Sequence, residues 1–269
     1  MRAEYAVLAA SLAVVVTFSS GCDQLKARDN LNKGVQAFKA AKYSDAVEKF
    51  KTAVDADPKF TTARLYLATA YEMQYVPGID AADNMQYAKS AMDQFHKVLA
   101  DEPNNVLALS SIASLYYNEK KFDEAGDWHR KVIAVDPKNK ESYYTLGVLA
   151  WTKWLPVDRQ ARIDSGQKPE DPGPIKNPKI RAQLKEKWMP VLDQGMKDEE
   201  QALQIDPEYD DAMAYMNLLI RYRADLLDTT DEYKKAADEA DKWVNKSLEA
   251  KKVKSERKAK AAENGKTAE

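Results

Sequence analysis

Four times along the chain a helix-compatible stretch stops at the same kind of phrase, an acidic residue followed by proline. The phrases are Val54-Asp55-Ala56-Asp57-Pro58, Leu99-Ala100-Asp101-Glu102-Pro103, Ile133-Ala134-Val135-Asp136-Pro137 and Leu203-Gln204-Ile205-Asp206-Pro207. Pro103 and Pro137 lie 34 residues apart, Pro58 and Pro103 lie 45 apart, and Pro137 and Pro207 lie 70 apart. A recurring interval of this size points to stacked copies of one small unit, with extra residues inserted in two of them. Proline cannot continue an α-helix, so each phrase closes one unit and opens the next.

Counting each unit from the prolines that bound it, the closing one as position 32, tests that reading. Position 8 holds Gly34, Ala68, Ala113 and Gly147, and position 20 holds Ala46, Ala91, Ala125 and Gly195. Position 24 holds Phe50, Phe95, His129 and Glu199, and position 27 holds Ala53, Val98, Val132 and Ala202. Small residues at 8 and 20 let two antiparallel helices touch, and larger apolar residues fill the space beside the next pair. This pattern resembles the tetratricopeptide repeat family. The resemblance implies an all-α solenoid of about five helix-turn-helix units, spanning about 27–60, 61–105, 106–139, 140–209 and 210–251. In the fifth unit Met213, Met216, Leu219 and Ile220 share one helix face, and Thr229-Thr230-Asp231-Glu232 is suited to starting the second helix.

The two long spacings locate the insertions. About Gln74 to Asp83 lengthens the turn of the second unit. In the fourth, residues 153–185 carry Pro156, Pro169, Pro172, Pro174 and Pro178, a composition that excludes helix and favours an extended or turn path. A tolerated surface loop and a partner-binding or groove-capping arm are both open readings of it. Residues 252–269 are rich in Lys, Ala and Glu without aromatics, and are expected to be a charged flexible tail.

The N-terminus reads as an export signal. Arg2 precedes an uncharged run whose apolar heart is Ala6 to Phe18, too short to span a bilayer comfortably. It ends in Ser19-Ser20-Gly21-Cys22, which resembles a bacterial lipobox, with Ser19 where leucine is usual. The resemblance implies that residues 1–21 form a lipoprotein signal peptide and that Cys22 is lipidated. Residues 22–26 would then tether the solenoid to a membrane, in the bacterial cell envelope and facing the periplasm. The chain's one Cys and two His are too few for a structural zinc site or a disulfide framework.

No P-loop, nucleophile elbow, His-Glu-x-x-His or dinucleotide turn occurs, so an enzyme is not expected, nor a cofactor or metal. A net charge of −2 provides no field for nucleic acid. His129 is expected to be core filler, and Asp198-Glu199-Glu200 a solvated helix face. In the family that the chain resembles, the first helices line a concave groove. The matching positions here include Thr69, Met73, Ser110, Ser114, Tyr117, Asn118, Tyr144, Trp151, Arg221 and Tyr222. Aromatic and small polar side chains of this kind suit a peptide or protein partner. The function expected is therefore an envelope scaffold or assembly factor. The alternative is a periplasmic small-molecule or glycan-binding protein, with the proline-rich insertion as a lid.

Overall fold

The computed structural model describes the backbone of residues 2–266 and the side chains of residues 21–261. The side chains of residues 1–20 of the expected 1–21 signal peptide lie outside the described residues, as do residues 1 and 267–269 entirely. Ten helices, and no strand, occur among the described residues: α1 Arg2–Lys39, α2 Tyr43–Ala56, α3 Thr61–Glu72, α4 Ala82–Asp101, α5 Val106–Asn118, α6 Phe122–Val135, α7 Lys140–Asp164, α8 Pro178–Ile205, α9 Asp210–Ala224 and α10 Thr230–Lys266. They form two compact units, Met1–Ala125 and Gly126–Glu269.

All sixteen of the register positions read from the sequence are buried. In Met1–Ala125 the Phe50 ring joins Ala46, Leu67 and Ala70 in a core, stacking on Tyr66 at 5.4 Å. In Gly126–Glu269 the core is built on Trp154 and Trp188, whose rings lie 5.5 Å apart, with Leu192, Leu219 and Leu226 around them. Gly195 shows why position 20 stays small: a Cβ there would stand 2.7 Å from the Cβ of Ala150 and 3.3 Å from Leu219 Cδ2. Gly195→Leu should therefore lower stability by about 1–3 kcal/mol or more through overpacking. A thermal melt of that variant matching the parent would show the register to be wrong.

The recurring Asp-Pro has a local cause. Asp57, Asp136 and Asp206 each end a helix, and each carboxylate accepts the backbone N–H two residues further on, at 3.1, 3.1 and 3.0 Å. The side chain thus bridges across a proline that has no N–H of its own. Asparagines then start helices: Asn105, Asn139 and Asn177 each accept N–H groups from the first turn of α5, α7 and α8. Thr229 and Glu232 form a reciprocal capping box at the start of α10.

Three segments depart from the sequence reading. Residues 153–185 are mostly helical: α7 continues through Pro156 to Asp164, and α8 begins at Pro178, leaving 165–177 as the connection. Pro156 is exposed and costs one backbone hydrogen bond. The turns beyond it bury Asp158, Ala161 and Arg162, and this packing outweighs the local penalty. Residues 22–26, expected as a short tether, are helical and continue α1. The end of the chain is also helical, with α10 running to Lys266, where Lys254 bonds Asp210 (2.5 Å) and Arg257 bonds Glu208 (2.6 Å). Among the described residues no helix is long and apolar enough to cross a membrane.

Candidate functional site

Six of the ten groove residues belong to Met1–Ala125. The Thr69 hydroxyl donates to the Leu65 carbonyl (3.0 Å) and that of Ser110 to the Val106 carbonyl (2.7 Å), so both serve their own helices. Tyr117 packs edge-on against Phe122 at 5.7 Å. The Met73 backbone N–H donates to the Thr69 carbonyl (2.9 Å), one turn back along α3. Met73 is exposed at the end of α3.

In Gly126–Glu269 three of the remaining four come together. Tyr144 and Trp151 are two helical turns apart on α7, and Tyr215 and Tyr222 have the same spacing on α9. The rings interleave: Tyr144 meets Tyr215 at 5.4 Å, Trp151 meets Tyr215 at 5.6 Å, and Trp151 meets Tyr222 at 6.2 Å, all edge to face. Tyr209, just before α9, extends the row at 5.2 Å from Tyr144. The Lys140 ammonium lies 4.9 Å from the Tyr209 ring centre and bonds Asp206 at 2.6 Å. Every ring of the row is half-buried, with area left to offer a partner. Arg221 stands apart, paired with Asp241 of α10 and with Asn217. Sequence reasoning missed Tyr209 and Tyr215, although the matching seven-residue intervals on α7 and α9 were a usable signal.

Burial holds the phenols neutral. Tyr144 is raised well above the ordinary range, and Tyr209 is pushed up to about 12, in both cases mainly by desolvation. The indole N–H of Trp151 is buried without an acceptor. Such a donor is costly to leave unmade.

Behind this row lie two ionisable groups at core positions. His129, buried on α6, meets the Ser142 hydroxyl at 3.1 Å, and desolvation lowers its pKa to about 4. Glu199 and Asp198 are buried, which corrects the solvated face expected there. The Glu199 carboxyl occupies the space left by the missing side chain of Gly147, and neither oxygen has a hydrogen-bond partner. Desolvation, reinforced by Asp198 and Asp211, pushes its pKa up to about 10, so the group is neutral near pH 7.

Connection 165–177 is neither a loose loop nor a free lid. The Arg162 guanidinium donates to the carbonyls of Asp171 (2.8 Å) and Gly173 (3.2 Å) while pairing with Asp158 (3.1 Å) and Asp225 (2.5 Å). Gln167 accepts the N–H of Lys176 and donates to the Pro174 carbonyl. The Ile175 N–H donates to the Asp225 carbonyl, and its side chain is fully buried beside Trp154 and Leu226. Asp158 and Asp225 are both held above the ordinary carboxyl range, by burial first. Proline restricts the path of the segment, and these bonds fasten it to α7 and α9.

Comparison with known proteins agrees with this architecture. Residues 31–74 match the sequence model of the family described as tetratricopeptide repeat. Sperm-associated antigen 1 of Rattus norvegicus is 33% identical over 114 residues, which are 42% of this chain and 11% of that protein. The Mus musculus protein is 32% identical over 114 residues, with the same coverage. The chain thus spans about a tenth of the length of these relatives. Among solved structures, MamA superposes with a TM-score of 0.55 at 17% identity, covering 83% of this chain and 96% of MamA. MamA from Desulfovibrio magneticus RS-1 gives 0.55 at 16%, covering 85% and 96%. At such identities the likeness is one of fold. Helix pairs closed by Asp-Pro, small residues buried at every expected contact and a family match across one such junction identify a tetratricopeptide repeat at residues 31–74, within an all-α fold like that of MamA.

Proposed function

We propose that this protein is a non-catalytic scaffold that binds a protein or peptide partner on the α7/α9 face, held to a bacterial envelope membrane by lipid on Cys22. The observation carrying the first half is the half-buried row Tyr144, Tyr215, Trp151 and Tyr222. Rigid aromatic rings on two adjacent helices offer large contact area at small entropic cost, the composition of an anchor patch for another chain. The fastened 165–177 segment favours this over a small-molecule site with a lid, because a lid must move and this segment is bonded into the core.

The second half rests on the lipobox-like Ser19-Ser20-Gly21-Cys22 and on the exposure of Cys22 in the structure. Several acyl chains on one Cys would anchor stably, since each buried CH₂ contributes about 0.8 kcal/mol. Cys22→Ala should abolish lipid attachment and leave the protein unprocessed or soluble. Membrane fractionation with mass spectrometry of the N-terminus reads this out. A membrane-bound protein carrying a free, unmodified Cys22 would disprove the anchor.

A further inference from the structure

We propose that the inserted turn between α3 and α4 is a self-association surface, which seats on the outer face of α10 of a second copy of this chain. In the next helix pair the turn takes only residues 119–121, whereas here residues 73–81 lie between the helices. The longer turn is framed by its own bonds. The Asn84 side chain, itself buried, accepts the Val76 N–H (2.8 Å) and donates to the carbonyls of Val76 (2.9 Å) and Ile79 (2.7 Å). Tyr75 is buried, and Gly78 turns the chain at a φ of +82°.

This frame holds apolar side chains out in water. Val76 is 50% exposed, Ile79 48% and Met73 49%. The bonds from Asn84 already satisfy three backbone groups of the turn, so covering it with another chain leaves none of the three unmade. Asp80 and Asp83 stand exposed beside these residues, and no Lys or Arg occurs between Arg64 and Lys89. Two carboxylates there would be repelled by an anionic lipid surface. The complement of this turn is a protein face that is apolar and cationic.

Helix α10 presents such a face. Its inner side carries the buried Ala240, Trp243 in the same cluster, and Ser247, whose hydroxyl donates to the Asp210 carbonyl (2.9 Å). Leu248, Lys251, Lys252 and Ser255 share another side at helical spacing, and all four are exposed. Lys258, also exposed, continues that side. Leu248 can meet Val76 and Ile79 while the lysines meet Asp80 and Asp83. Turn and helix are different surfaces, so each copy carries both halves of a head-to-tail contact, and association continues past two copies.

The test is photo-crosslinking between isotopically heavy and light copies of the full chain in detergent. Heavy copies carry a photoreactive phenylalanine analogue in place of Ile79. An adduct joining one heavy and one light chain should form, with the crosslink mapping to α10 between Val244 and Ala259. Lys252→Glu with Lys258→Glu in the light copies should lower its yield about tenfold, because like charges then meet. Adding Asp80→Lys and Asp83→Lys to the heavy copies should restore it, with circular dichroism unchanged throughout. The analogue at Asp101, exposed at the far end of α4, should give no such adduct. Trp151→Ala should leave the yield unchanged, which separates this contact from the aromatic row. No adduct between chains would overturn the proposal, as would an adduct within one chain, one mapping outside α10, or one indifferent to charge reversal.

Discussion

Replacing Arg162 by methionine should destabilise the protein by about 3–5 kcal/mol, because it strands buried charges and releases a connection in one step. Asp158 and Asp225 would lose the cation that pairs with both, and the Asp171 and Gly173 carbonyls would lose their donor. The two carboxyls would have to take up protons or open to water. The expected signature is a lower denaturation midpoint together with faster proteolysis between Ser165 and Asn177. Deleting 165–177 outright should be at least as damaging, since it also removes the fully buried Ile175 from the core. Truncation of a buried isoleucine to alanine alone costs about 2–5 kcal/mol. Glu170→Ala, exposed on the same connection, is the control and should melt like the parent.

Glu199→Met should work in the opposite direction and raise stability. A buried carboxyl without a partner is a standing cost, and methionine has a similar length without the charge. The pH dependence identifies the cause. In the unfolded chain the carboxyl loses its proton near the ordinary value of 4.5, whereas the folded protein retains it up to about 10. The folded state thus binds the extra proton across that window, and stability falls as pH rises from 4.5 to about 10. At pH 7 the displacement is worth roughly 3 kcal/mol. The variant should be more stable by about that amount at pH 7, more so at pH 9, and should lose most of the decline on the alkaline side. Chemical denaturation at pH 5, 7 and 9 decides it, and parallel pH profiles for parent and variant would contradict the assignment. His129 has the opposite sense, since its lowered pKa withdraws stability as pH falls from 6.5 to about 4.

The repeat register was legible because it is written in side-chain size at fixed intervals, and size is what two touching helices read. Gly147 and Gly195 could be assigned to a helix contact from their spacing to the prolines that bound the unit, Pro137 before and Pro207 after, despite the long insertion between them. The Asp-Pro junctions were equally local, each closing within two residues of its own carboxylate. What the sequence concealed depended on partners far along the chain. Pro156 read as a helix breaker because the packing that holds its helix together, Arg162 against Asp225, spans 63 residues. Asp198 and Glu199 looked like a solvated acidic run, since nothing nearby in sequence shows that both are covered. The candidate face was half legible. Tyr144, Trp151 and Tyr222 emerged from helix position, but Tyr215 joins them only once α7 and α9 lie side by side.

The most direct measurement of the central claim is site-specific photo-crosslinking in intact cells, with a photoreactive phenylalanine analogue in place of Tyr222. The row Tyr144, Tyr215, Trp151 and Tyr222 should place that position against a partner, giving a discrete higher-mass adduct identifiable by mass spectrometry. The adduct should fade when Trp151→Ala is added, and it should be absent when the analogue replaces Lys187, an exposed residue on α8. Adducts from position 187 and none from 222, in protein that remains folded, would contradict the assignment of the α7/α9 face as the partner surface.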